Sequence, residues 1–200
     1  MANDFDKEYY VMSVGGSNNH PLLDWGKTDN TDFPDIEPMN ELKLPLKIIF
    51  GQPYLKQYEM SDFLMLGADY ARSEKFKKLF ERNKIYGVQF IPVEIESNKK
   101  EIITGHYYIH FWNRLRAIDE KNYEGGQPNG FGLIHDLERF SLNGDLLNGI
   151  SLEKRLIFPL LEKPSLVIVH KSLCEIMEKE KINGVKYFRV DEWDEDSIFK

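Results

Sequence analysis

Apolar positions along this chain recur at two spacings, and the switch between them marks out its elements. In residues 73–93 (SEKFKKLFERNKIYGVQFIPV), Phe76, Leu79 and Phe80 stand at i, i+3 and i+4 among charged neighbours. That is the stripe of a short amphipathic helix. A Lys-Ile-x-Gly-Val turn then leads into a strand over residues 88–95. The same order returns in residues 170–190 (HKSLCEIMEKEKINGVKYFRV), at a constant offset of 97 residues and without a gap. Six of the 21 positions are identical, and Leu173, Ile176 and Met177 repeat the stripe. Ser73 and Ser172 are candidate N-caps, and Ser172 with Glu175 fits a capping box. Asn83 is placed to close the first helix in the left-handed region. Gly87 and Gly184 fall where the backbone turns or approaches a neighbour closely. Apolar runs at residues 62–67 and 165–169 precede the two copies, so each unit reads as strand–helix–strand, over about 62–95 and 165–190. Two copies are too few for a solenoid, which leaves two related halves or layers of one domain.

Elsewhere, residues 8–14 (EYYVMSV) and residues 44–51 have strand character, as does the aromatic stretch EIITGHYYIHFWNRLRA at 101–117 through Trp112. Residues 15–41 are rich in Gly, Asn, Asp and Pro and carry Asp29, Asp32, Asp35 and Glu37. A loop of that length is functional or mobile, or else a solvated meander over the surface. Residues 122–129 (NYEGGQPN) read as a loop, and Asn143-Gly144 and Asn148-Gly149 split residues 131–159 into short apolar runs. No linker interrupts the chain. The expectation is a single α+β domain over residues 1–200, with mixed sheets, a lobe boundary near residue 120 and residues 1–44 partly loop.

Composition narrows the function classes. With 200 residues, 42 % of them hydrophobic, the chain can bury a core without disulfides or metals. A single cysteine, Cys174, permits neither an intramolecular disulfide nor a cysteine zinc cluster. The start (MANDFDK) lacks the basic-then-apolar order of a secretory signal. No apolar run approaches the roughly 18 residues of a membrane span. A cytoplasmic protein with no cofactor is therefore expected. The net charge of −7 disfavours general nucleic-acid binding and suits a basic protein surface as partner.

Candidate chemistry is sparse. His106 and His110, four apart in a strand, share a face but stand some 13 Å apart at about 3.3 Å per residue, too far for one metal. Cys174 follows His170 by four residues, but a nucleophilic pair needs hydrogen-bond reach and an orienting third group. The expectation is a partly exposed, inert thiol. Asp119, Glu120, Glu124, Asp136 and Glu138 can supply a carboxylate pair for a hydrolase working in a cleft between the two halves. Gly15-Gly16-Ser17 follows a strand but continues into no phosphate-binding pattern. The acidic tail, Asp191, Glu192, Asp194, Glu195 and Asp196 with Trp193 embedded, is either a solubilising terminus or a docking patch for a basic partner. Trp193 suits an interface anchor or a residue folded back onto the core.

Several stretches together resemble a known family. They are Ser61-Asp-Phe-Leu; Arg72-Ser-Glu-Lys-Phe-Lys; residues 84–95 (KIYGVQFIPVEI); Gly105-His-Tyr-Tyr-Ile-His with Ala117-Ile-Asp119; Leu156-Ile-Phe-Pro-Leu; Ser165-Leu-Val-Ile-Val; and Ile182-Asn-Gly-Val-Lys-Tyr. This pattern, over roughly residues 45–190, resembles a bacterial immunity-protein family of polymorphic or contact-delivered toxin systems, formerly a domain of unknown function. The resemblance implies a non-enzymatic protein that binds a cognate protein toxin and blocks it, and it carries over no catalytic residue. A nuclease toxin is often basic, so Asp191, Glu192, Trp193, Asp194, Glu195 and Asp196 are candidate partner-binding residues, with Asp29, Asp32, Asp35 and Glu37 as a second group.

Overall fold

The computed structural model describes residues 3–15, 19–26, 37–39, 44–52, 57–67 and 69–199. The protein is α+β with mixed sheets. Its strands are β1 (Tyr9–Val14), β2 (Leu23–Trp25), β3 (Leu46–Phe50), β4 (Phe63–Leu66), β5 (Asp69–Ser73), β6 (Val88–Glu96), β7 (Ile102–Phe111), β8 (Ile118–Gly125), β9 (Leu137–Leu142), β10 (Ile157–Pro159), β11 (Val167–His170) and β12 (Val185–Arg189). Its α-helices are α1 (Glu74–Arg82), α2 (Gly144–Asn148) and α3 (Lys171–Lys179). Six strands close a barrel in the order β2-β3-β6-β7-β5-β4. Four more form an antiparallel sheet, β10-β11-β1-β12, and β8 and β9 form a two-stranded ribbon.

Strand β1 binds these parts together. It lies between β11 and β12, pairing Val11 with Ile168 on one side and with Phe188 on the other. Successive side chains of a strand point to opposite faces, and here both faces are covered. Tyr9 and Val11 enter a core with Leu137, Phe140, Leu142, Phe158 and Trp193 under the β8–β9 ribbon. Met12, flanked by Tyr10 and Val14, enters a second core formed by the inner faces of α1 and α3 with Phe63, Phe111 and Val169. A third core, including Ile48, Leu64, Ile91 and Val93, fills the barrel.

The two segments that match in sequence have like local structure. Helices α1 and α3 have bounds 97 residues apart, as do the starts of β6 and β12. Lys84 and Lys181 both have positive φ, 49° and 53°. Gly87 and Gly184 do too, at 83° and 77°, and each is pressed against a neighbour. A Cβ on Gly184 would sit 2.6 Å from Ser61 Oγ and 2.7 Å from the Phe63 carbonyl oxygen, and one on Gly87 2.1 Å from Asn113 Cβ. Only glycine meets both demands. An antiparallel pair of strands leads into each helix, β4–β5 into α1 and β10–β11 into α3, but the surroundings differ: β6 joins the barrel while β12 joins the four-stranded sheet.

Three local expectations are corrected. Asn83 is not left-handed: it has φ −90° and closes α1 by donating its side-chain amide to the Leu79 carbonyl, and the positive φ passes to Lys84. Ser172 is not the N-cap of α3. His170 holds that position, its Nδ1 accepting from the Ser172 N–H at 3.2 Å. Cys174 is buried, not partly exposed, because the buried stripe of α3 is Leu173, Cys174 and Met177, with Ile176 only half-buried. The helix is thus turned relative to α1, whose buried stripe is Phe76, Leu79 and Phe80.

Asp62 joins the two segments. Its carboxylate accepts from the Ser73 hydroxyl (2.5 Å), the Lys75 ammonium (3.4 Å) and the Asn183 N–H (3.0 Å), and its own N–H donates to Asn183 Oδ1 (2.6 Å).

Candidate binding surfaces

The C-terminal segment leaves β12 through a single 3₁₀ turn, Val190–Glu192. Val190 is buried, and Trp193 folds back into the core under the ribbon, its ring 5.2 Å from that of Phe140 at 63°. Of the two readings of Trp193, the core is the one the structure adopts. Asp191 is engaged by Arg189, with Nε 2.5 Å from Oδ1 and Nη2 3.2 Å from Oδ2. This charge-assisted fork raises the Arg189 pKa above its usual value. Arg189 also reaches Glu192 Oε1 at 2.6 Å, although the Glu192 side chain stays mostly in solvent. Asp194 accepts from the Ser197 hydroxyl and N–H and so starts the last 3₁₀ turn, Glu195–Phe199. The tail therefore presents Glu192, Glu195 and Asp196 to solvent.

Asp191 and Trp193 line a groove of about 340 Å³ together with Asp6, Tyr123, Glu124 and Arg139. The N-terminal turn and the ribbon build its walls. Buried Asp6 accepts from the Ser141 hydroxyl (2.5 Å) and the Leu142 N–H (2.7 Å), and Asn3 closes a capping box over the same turn. The tail and Glu124 of the ribbon thus meet at one groove, with Lys121 and Arg139 on the same walls. Sequence reading missed this, because β8 and the tail are some 70 residues apart.

The loop acids divide. Asp29, Asp32 and Asp35 lie outside the described residues. Glu37 is exposed, and its carbonyl is 2.8 Å from His110 Nε2, which ties it to β7 of the barrel. Of the Gly15-Gly16-Ser17 turn, only Gly15 is described, and its N–H donates to the Gly184 carbonyl at 2.9 Å.

No arrangement for nucleophilic catalysis forms at Cys174. Burial pushes its thiol up to about 12. His170 Nδ1 is taken by Ser172, and its ring packs edge-on against Tyr9 at 5.0 Å. His106 and His110 are both buried in β7, where desolvation lowers the pKa of His106. Among the described residues no group of three or more His, Cys, Asp or Glu is placed to hold a metal ion. No helix among them is long and apolar enough to cross a membrane.

The carboxylates considered for acid–base work spread along the ribbon. Asp119 serves a local turn, accepting from the Lys121 N–H and the Asn122 side chain, which hold its carboxyl below the usual range. Glu120, Glu124, Asp136 and Glu138 are exposed.

A family model, the Immunity protein family Imm11, matches residues 56–192. This chain belongs to the Imm11 immunity protein family. The Imm11 match takes in both helix–turn–strand segments, the β8–β9 ribbon and the tail as far as Glu192, and leaves β1 and the loop acids outside it. No curated protein matches the chain.

Proposed function

We propose that this protein binds a cognate bacterial toxin in the cytoplasm and neutralises it by occlusion, without chemistry of its own. Membership of the Imm11 family, across more than half of the chain, carries the reading. The acidic balance of −7 and the exposed acids of the tail support a basic toxin surface as the partner. Opposite charge on two approaching faces speeds encounter more than it adds affinity. The exposed tail acids Glu192, Glu195 and Asp196 are proposed to steer that encounter, with the loop acids Asp29, Asp32, Asp35 and Glu37 as a second steering group.

The alternative, a carboxylate hydrolase, requires paired carboxylates held in a cleft. The exposed acids of the ribbon do not favour it. Co-expression with the toxin domain encoded beside this gene tests the immunity reading directly. Survival of cells that otherwise die, with co-purification of the pair, is expected; toxicity without rescue overturns it. In the purified complex, the triple change Glu192→Gln, Glu195→Gln and Asp196→Asn should slow association about tenfold at low salt and flatten its salt dependence. Wild-type kinetics for the triple variant would remove the tail from the encounter surface.

A further inference from the structure

At the base of the β8–β9 ribbon lies a second pocket of about 330 Å³, lined among others by Arg116, Glu120, Tyr123, Ile134 and Glu162. Glu162 is only 5 % exposed. One of its carboxylate oxygens, Oε1, accepts from the Ile118 N–H at 3.2 Å, while Oε2 is buried without a hydrogen-bond partner among the described residues. The N–H groups of Glu162 and Ala117 and the Arg116 charge act on the carboxyl as well, but the Arg116 guanidinium donates to the Gly132 carbonyl, at 3.4 Å, and burial outweighs them. A buried carboxylate oxygen with no donor is costly. It places a negative charge at the floor of the pocket that a cation in the pocket would offset.

Next to Gly132, which lines the pocket, stands the most exposed large apolar side chain described, Phe131, at 86 %. Its loop is tightly built. Asn129 Oδ1 accepts from the Phe131 N–H (2.9 Å) and the Leu133 N–H (3.1 Å). The Asn129 N–H donates to the Leu133 carbonyl (2.9 Å), and the Gly132 N–H to that of Asn129 (2.8 Å). The Lys163 ammonium donates to the His135 carbonyl on the far side. Gly132, at φ +76°, also leaves room for Arg116, whose Nη1 would be 2.7 Å from a Cβ there. A backbone already fixed in this way has little left to order when the exposed ring binds, which suits an interface anchor. The segment from Ile118 to Leu142 is acidic, five carboxylates against Lys121 and Arg139.

We propose that this pocket is the toxin-anchoring site, receiving a lysine or arginine side chain of the toxin between Glu120 and the face of Tyr123 with the Glu162 carboxyl as its floor, while Phe131 enters an apolar depression beside it. The proposal rests on the immunity reading and adds to it the surface used and the chemistry of the partner. Burial already holds the Glu162 carboxyl above the usual carboxylate range, and an incoming cation would reverse that.

The test is calorimetric titration of the full chain with the purified toxin domain encoded beside its gene. Variants Phe131→Ala, Glu162→Gln and Glu120→Gln are compared, each checked by thermal melting. Phe131→Ala and Glu120→Gln alter exposed side chains, so they report on binding even if Glu162→Gln melts early. Phe131→Ala is expected to raise Kd about thirtyfold and Glu120→Gln about fivefold, with unchanged melting temperatures. Wild-type Kd for both, in a chain that still binds and rescues, overturns this site and leaves the immunity reading standing. Absence of any binding or rescue by the wild-type chain overturns both.

Discussion

Arg72 holds a buried charge with no ion pair within 4 Å among the described residues, and Asp69 acts on it only from farther off. Fully buried, Arg72 lies 3.2 Å over the Phe63 ring, with Tyr70 and Phe76 close by. Its Nη1 donates to the Ala71 carbonyl, but Nε and Nη2 have no partner among the described residues. Desolvation drives its pKa well below the usual value, and the aromatic faces return only part of that loss. Arg72→Met keeps most of the volume and removes the charge, so it should leave stability within about 1 kcal/mol of wild type or raise it. A loss above about 3 kcal/mol in urea melts would mean that the guanidinium itself is needed. Cys174 gives a second residue-scale expectation. Its folded pKa of about 12 lies above the ordinary 9.0, so the folded state retains the thiol proton longer than the unfolded chain does. The stability linked to that proton is complete below pH 9 and is lost as pH rises from 9 towards 12. Native protein at pH 8 should resist an aromatic disulfide reagent and react fully in urea. Rapid native labelling would place the thiol in solvent.

At the scale of elements, the helices show both the reach and the limits of the periodic pattern. Phe76, Leu79 and Phe80 were legible because one buried face of α1 leaves one apolar stripe. In α3 the apolar letters continue one position around the helix, through Cys174, and sequence spacing does not reveal which edge of so broad a stripe turns inward. Leu79→Ala should cost about 2–5 kcal/mol and Met177→Ala a similar amount. Half-buried Ile176→Ala should cost less than either, and equal costs for Ile176 and Met177 in urea melts would show α3 turned the other way. The N-cap of α3 was misplaced because His170 can accept through Nδ1 as a serine does through its hydroxyl, a role that residue counting assigns first to Ser172. The closing strands and both glycines were legible, since positive φ and close contact leave no other residue type. The binding surfaces were not. The tail groove and the Glu162 pocket depend on which distant segments the ribbon meets, and nothing in the letters around Glu162 marks it as buried.

At the scale of the whole molecule, chain order and spatial order part company. Strand β1, from the first few residues, sits between β11 and β12 from the last third, and the N-terminal turn grips the ribbon through Asp6. The core beneath the ribbon and the core between the helices share β1 as their dividing wall. Met12 and Phe63 share the second of these, which carries contact on to the β4 edge of the barrel. Each core would lose a wall if its neighbour opened, so we propose that the parts unfold together as a single domain rather than as two lobes divided near residue 120. Trp193 reports on the ribbon core and Trp25, packed 5.3 Å from Tyr108, on the barrel. Urea transitions followed by the fluorescence of single-tryptophan variants at these two positions, and by far-ultraviolet circular dichroism, should coincide with one midpoint and one slope. An early Trp193 transition with the barrel intact would separate the lobes. It would also mean that the ribbon bearing Phe131 opens on its own, and a surface that opens independently must pay to order itself before it can hold a toxin.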